Sequence, residues 1–456
     1  MERIVVWINH FVWGIPALLL ILGVGIYYTF STKFVQLRLL PAALKSFGNI
    51  IFGKHRDNED VSPFQALCTA LAATVGTGNI AGVAGAIAIG GPGSIFWMWI
   101  SALLGMVLKY AEAVLAVRFA QRDSAGNTVS GPMYMIRYGM GISWNWLACM
   151  YCIFGVIAAF GIGNATQINA VISGIRSAIS SLDVTPSKYL DVIVAVVAAG
   201  IIAIALLGGA KRVGGVAELL VPFAAVAYIV MCFGVLVVRA ERIPEAFTAI
   251  LSGAFSPNAL TGGAIGSAFI SLRTGISRGV FTNEAGMGTA SIAHGGAKVR
   301  HPAEQGLMGI IEVFLDTIVI CTLTALVILC SGILIPYGTD EGATLTARAF
   351  SQVYGQWSSI PLALFLCLFA FATMLGWGLY GVRCAQYLLG DRFVKCFIAI
   401  QSLTIIASIF LKTGTVWLLS ETVNGLMAIP NLIALGYLNP IVLKLTKDYI
   451  ISSAPD

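Results

Sequence analysis

Ala73-Thr74-Val75-Gly76-Thr77-Gly78-Asn79 stands in the middle of an otherwise apolar run from 64 to 89. A run of that length reads as a bilayer-crossing helix, because ~20 apolar residues span the hydrocarbon core. The two glycines and the polar side chains between them predict a break in that helix. A broken helix leaves carbonyls without partners at the end of its first half and N–H groups without partners at the start of its second. Here Ala72, Thr74 and Val75 would present carbonyls, and Thr77 and Gly78 would present N–H groups.

A second run, 260–293, is interrupted in the same way. It contains Gly275-Ile276-Ser277-Arg278-Gly279 and then Phe281-Thr282-Asn283-Glu284-Ala285-Gly286-Met287-Gly288. Working outward, hydropathy places spans at 11–32, 64–89, 93–121, 143–173, 187–209, 215–238, 260–293, 305–333, 359–388, 393–412 and 415–446. With the first set aside, the interrupted helices are the first and sixth of the remaining ten. Breaks at matching positions of two halves are the best sequence pointer to a transporter binding site. Halves of five must run in opposite directions, which is a 5+5 inverted repeat. The expected fold is therefore an all-α polytopic membrane protein of 11 transmembrane helices. Residues 1–63 form an extra N-terminal helix and an amphipathic cytoplasmic segment at 35–52. Residues 64–240 and 241–446 form the two repeats, and 447–456 a cytoplasmic tail. Short surface helices are expected near 244–256 and 342–354.

Composition agrees with lipid as the solvent. Charged residues are 11% of 456, against about 25% in a soluble domain, and this excludes a soluble enzyme or a disordered chain. The net charge of +6 is spread over short loops, which gives no nucleic-acid footprint. With the N-terminus outside, the inner loops carry more than twice the Lys and Arg of the outer ones, so the C-terminus is expected inside. The nine cysteines lie mostly in apolar segments. Cys149 and Cys152 have no second pair, so they read as small hydrophobes rather than metal ligands.

The chemistry of the first break follows from its partial charges: the N–H end attracts a carboxylate and the carbonyl end a cation. An amino-acid zwitterion beside a sodium ion satisfies both. The alternative is a glycine kink that serves packing alone. Gln167, within a span, either bonds a ligand or ties helices together. Thr373 offers a hard oxygen suited to sodium, or bonds its own i−4 carbonyl. Trp377 either walls a pocket or simply packs. Lys109 and Glu112, three apart on one helix, are expected to neutralise each other. Glu284 is expected near Arg278. Glu312 and Asp316 are expected on one helix face, as a proton relay or a structural network. Arg273, about two turns before Phe281, either pairs with an acid or reaches the outer vestibule. The Thr74–Gly78 stretch comes close to a potassium-filter motif, but such a filter needs a ring of identical loops. No H-E-x-x-H or phosphate-binding G-x-x-x-x-G-K-[ST] is present, which disfavours a metalloprotease or an ATP-driven pump.

The run Gly90-Gly91-Pro92-Gly93-Ser94-Ile95-Phe96-Trp97-Met98-Trp99-Ile100-Ser101-Ala102-Leu103-Leu104-Gly105 resembles the signature of the sodium:alanine symporter family. Gly76-Thr77-Gly78-Asn79-Ile80, Phe281–Gly286 and Asn424-Gly425-Leu426-Met427-Ala428-Ile429-Pro430-Asn431 resemble it too, and the resemblance covers essentially the whole chain. It implies the LeuT-like fold of the amino acid–polyamine–cation transporters and sodium-coupled uptake of a small neutral amino acid by alternating access. By the same resemblance, Thr77 and Gly78 would bind the carboxylate and the Thr74 and Phe281 carbonyls the amine. Gln167, Thr282 and Trp377 would complete the pocket. Sodium would sit among the Ala72, Val75 and Phe369 carbonyls and Thr373, although Ala372 stands where that site usually has a second hydroxyl. A second ion would lie near Asn79 and Thr282. The resemblance implies sodium as the only metal, no cofactor, no obligate protein partner and a place in the cell membrane.

Overall fold

A computed structural model of the chain describes residues 9, 15–52, 61–255, 268–339, 342–411 and 413–452. The expected start of the 260–293 span and the end of the tail lie outside them. Helix α1, Ile15–Ser31, is apolar, and α2, Leu40–Phe52, follows as an amphipathic segment. The first interrupted run is α3, Pro63–Thr74, a single tight turn at Thr77–Asn79, and α4, Ala81–Gly90. Ser62 starts α3 with a capping box: its hydroxyl accepts from Gln65 N–H, and the Gln65 side chain accepts from Ser62 N–H. The two halves meet at a bend of 58°.

The chain continues through α5 (Ser94–Arg118) and a small hairpin of β1 (Gln121–Arg122) and β2 (Thr128–Val129). Next come α6 (Asn145–Ala158), a π-helical stretch at Ala159–Ala165, α7 (Thr166–Ser180), α8 (Leu190–Leu207) and α9 (Gly209–Val238). The surface helix α10, Ile243–Phe255, falls where the sequence expects one. The second interrupted run is α11, Ala268–Asn283, and α12, Thr289–His294. Helices α13 (Pro302–Val313) and α14 (Thr322–Cys330) flank another π-helical stretch, Phe314–Cys321. The last four helices are α15 (Ala343–Tyr354), α16 (Ser359–Leu389), α17 (Val394–Ala407) and α18 (Thr413–Ser452).

Among the described residues, eight helices are long and apolar enough to cross a membrane, or nine with the bent pair α3–α4 as one span. The core is the packing of α5 against α11 and α13, and of α16 against α7 and α3. Small residues permit these approaches. A methyl built on Gly376 would stand 2.9 Å from Ala73 Cβ, so only glycine lets α16 lie directly on the first break. Helix α1 packs outside this core on α5 and α18, with Tyr28 Oη donating to the Leu435 carbonyl at 2.6 Å.

Candidate functional site

The first break is folded by its own residues. Gly76 is extended (φ −147°), and its N–H donates to Asn79 Oδ1 at 2.9 Å. Thr77 and Gly78 open the short turn that follows, and residues in that position have no carbonyl partner within the turn. The second break is built alike. Asn283 Oδ1 accepts the Ala285 N–H at 3.0 Å, and Glu284, Gly286 and Gly288 take positive φ values of 53°, 84° and 79°. For a glutamate such a φ is uncommon and carries strain. The break therefore lies at 284–288. The expected interruption at Gly275–Gly279 is absent, because α11 runs through it unbroken. Those glycines instead let α11 lie close to Ser94 and Ser101 of α5.

The two asparagines converge on one acid. Asn79 Nδ2 donates to Asp316 Oδ1 at 2.7 Å, and Asn283 Nδ2 donates to Thr317 Oγ1 at 3.2 Å. Thr317 Oγ1 in turn donates to Asp316 Oδ2 at 2.7 Å. Asp316 is fully buried and lies in the π-helical stretch. The altered helical phase there directs it to the breaks, while Glu312, one turn earlier, meets Lys109 and His294. The expected shared face of Glu312 and Asp316 is thus split. An acid in an apolar span was a signal in itself, but its partner Asn79 was not readable from spacing.

The breaks also touch directly. A methyl on Gly78 would stand 3.1 Å from Thr282 Cγ2 and 3.8 Å from Phe281 Cδ1. Gly78, next to Thr77, therefore lies against Phe281 and Thr282, and Thr74, Thr77, Gly78 and Thr282 are all buried. Thr74 and Thr282 donate their hydroxyls to their own helices, at Ala70 O (3.2 Å) and Gly279 O (2.8 Å), which leaves oxygen lone pairs available. Gln167 Nε2 donates to the Ile162 carbonyl at 3.1 Å. Its Oε1 is buried and meets no donor among the described residues. Trp377 is fully buried. A methyl on Gly163 would stand 2.6 Å from its Cβ, and its indole N–H donates to Glu284 Oε1 at 2.9 Å.

Ala72, Val75, Phe369 and Thr373 are all buried. Thr373 Oγ1 donates to the Phe369 carbonyl at 3.0 Å, and the same oxygen would stand 2.7 Å from a methyl on Gly76. The hydroxyl proton is thus committed to α16, while the oxygen lies against the first break.

Two charge pairings differ from the sequence expectations. Lys109 Nζ pairs with Glu312 Oε1 at 2.7 Å rather than with Glu112. The other oxygen of Glu312 meets His294 Nε2 at 3.0 Å, and His294 Nδ1 meets Gln305 Nε2 at 2.6 Å. Arg278 pairs with Glu421 at 3.1 Å, not with Glu284. The reason is directional: helix neighbours meet only if no better counter-charge faces them from the adjacent helix, and α13 and α18 supply one.

The sequence profile of the sodium:alanine symporter family matches residues 1–454. The sodium/alanine symporter AgcS of Methanococcus maripaludis is 42% identical, over 97% of this chain and 96% of its own. A transporter of Haemophilus influenzae is also 42% identical, over 98% and 96%. The probable sodium/glutamine symporter GlnT of Bacillus subtilis is 35% identical, over 98% and 91%. Among solved structures, MhsT in complex with L-phenylalanine aligns with a TM-score of 0.57 at 13% identity, over 84% of this chain and 97% of that one. That likeness concerns the fold, and it supports the LeuT-like architecture. The chain belongs to the sodium:alanine symporter family and is a multi-pass membrane transporter of amino acids, not an enzyme.

Proposed function

We propose that the chain imports a small neutral amino acid, alanine first, together with sodium, by alternating access across the cell membrane. The observation that carries this reading is the meeting of the two breaks, with Gly78 against Thr282 and Phe281 and the unpartnered Gln167 Oε1 buried on α7. An amino acid's carboxylate would take the Thr77 and Gly78 N–H groups. Its ammonium would take the Thr74 and Phe281 carbonyls, and Gln167 Oε1 is an acceptor suited to the same charge. Trp377, held by Glu284, would close the pocket to large side chains. Sodium would bind the Ala72, Val75 and Phe369 carbonyls and Thr373. A second ion would use Asn79 and Thr282, with Asp316 beside them as a negative oxygen ligand. In this reading α1 and the interrupted pair α11–α12 also cross the bilayer, which gives 11 spans, 1–63 preceding repeats at 64–240 and 241–446, and 447–456 as the tail. The N-terminus is outside and the C-terminus inside. The relatives' names support alanine and leave glutamine as a competitor, and glycine, the smallest neutral amino acid, would compete for the same pocket.

Uptake of labelled alanine into proteoliposomes tests it. Uptake in a sodium gradient should exceed uptake in choline by about tenfold or more, with glycine competing. Equal uptake in the two buffers would sink the coupling.

A further inference from the structure

The interior below the second break holds more acid than base. Lys109, Glu112, Glu284, Glu312 and His294 are all buried, and Lys109 is committed to Glu312. Glu112 is left with neutral hydrogen-bond donors only, and an ionised carboxyl in an apolar interior without a counter-charge is costly. Its immediate geometry shows what is missing. Glu112 Oε1 accepts the Gly288 N–H at 3.0 Å and Asn431 Nδ2 at 2.7 Å. Asn431 Nδ2 also donates to the Gly286 carbonyl at 2.9 Å, which fixes the amide's orientation. The remaining oxygens, Glu112 Oε2 and Asn431 Oδ1, are both buried, and no donor among the described residues reaches either. Two side chains already joined by one hydrogen bond thus present two acceptors and lack one proton. A proton on Oε2 removes the charge and turns one of the unsatisfied acceptors into a donor.

The titratable groups near enough to Glu112 for their charges to interact with it are Tyr28 from α1, Lys109 on its own helix, Tyr151 from α6, Glu312 from α13 and Tyr380 from α16. Glu284, at the second break, acts on Lys109 and Tyr380. Only Lys109 is a fixed cation, and its ammonium lies on Glu312.

We propose that Glu112 is a proton-binding site, taking and releasing one proton on Oε2 beside Asn431 at the junction of α5, the second break and α18. The ligand is a proton bound at a site separate from the amino-acid and sodium positions.

Infrared spectroscopy of the purified protein, titrated from about pH 5 to about pH 9, reads this directly, because a protonated carboxyl has a C=O stretch distinct from that of a carboxylate. The wild type should show such a band that fades as pH rises, and Glu112→Gln should lose it. Glu112→Asp should keep a band at a shifted position, and it carries the test if the Gln variant fails to fold. Superimposable wild-type and Glu112→Gln spectra, or an unmoved band in Glu112→Asp, would overturn the assignment. So would a wild type without the band, as a permanently ionised cation ligand would give, and a residue-112 band that ignores pH would overturn the exchange. No transport is measured, so the outcome is independent of the amino-acid and sodium reading.

Discussion

At the residue scale the informative case is Thr373. Its hydroxyl bonds Phe369 O at 3.0 Å, the local bond that sequence reasoning offered as the alternative to sodium binding. The two are compatible. A hydroxyl has one proton and two lone pairs, so donation along α16 leaves the oxygen free to face a cation at Gly76. If Thr373 ligates sodium, Thr373→Ala should raise the half-saturating sodium concentration for uptake by about tenfold, equivalent to about 1.4 kcal/mol. Thr373→Ser, which keeps both the donor and the lone pairs, should stay within about twofold. Sodium-activation curves for the three proteins decide it, and superimposed curves would leave Thr373 a structural residue. Legibility at this scale was uneven. Thr373, Gly78 and Gln167 could be put forward as candidates because their chemistry is local to a break or a span. The partners of Lys109, Glu284 and Trp377 could not, since they come from helices distant in sequence: Lys109 meets Glu312 across 203 residues and Trp377 meets Glu284 across 93.

At the element scale, each break is folded by an asparagine that accepts one backbone N–H and sends its amide to the same π-helical stretch, Phe314–Cys321 between α13 and α14. Asn79 and Asn283 thereby share Asp316 and Thr317 as a common anchor. Hydropathy could locate the two apolar runs that carry the turns at 76–79 and 284–288, but clustered glycines also suggested an interruption at Gly275–Gly279, which lies inside α11. It could not locate the π-helical stretches at 159–165 and 314–321, where an extra residue per turn alters phase without altering composition. The anchor makes a prediction about coupling. If Asp316 holds the two breaks in one arrangement, Asn79→Ala and Asn283→Ala should not add: the shift in sodium dependence of the double variant should differ from the sum of the single shifts by about 0.5–3 kcal/mol. Sodium titrations of uptake or of thermal stability supply all four corners of that cycle. Additive effects would mean that the breaks are held independently and that Asp316 only satisfies two nearby donors.

At the scale of the whole molecule, a cavity of about 600 Å³ opens on the side that carries the β1–β2 hairpin, with Thr69 of α3, Ala293 of α12, and Leu379 and Val382 of α16 among its walls. The hairpin is fastened to the end of α16 at its rim. Asp123 lies 3.8 Å from Arg383, and Gln386 Nε2 donates to both Asp123 and Asp391, at 3.3 and 2.8 Å. The first half of the broken helix and α16 therefore both wall this cavity, and they pack on each other at Ala73 and Gly376, beside the proposed sodium position between Ala72, Val75 and Thr373. A cation that takes ligands from both walls binds more tightly when they are close. By linkage it must favour the closed cavity by the ratio of its two affinities. Thr69→Cys provides a reporter on the wall, read by a hydrophilic maleimide and peptide mass spectrometry so that the native cysteines are scored separately. Saturating sodium should slow its labelling by about tenfold, the shift expected if sodium prefers the closed form by about 1.4 kcal/mol. Potassium should not have this effect, and Thr373→Ala should abolish most of it while leaving the sodium-free rate unchanged. Labelling that ignores sodium in the wild type would separate the ion from the movement of these walls. Slowing that persists in Thr373→Ala would place the responsible ion elsewhere, with Asn79, Thr282 and Asp316 as the next position to test.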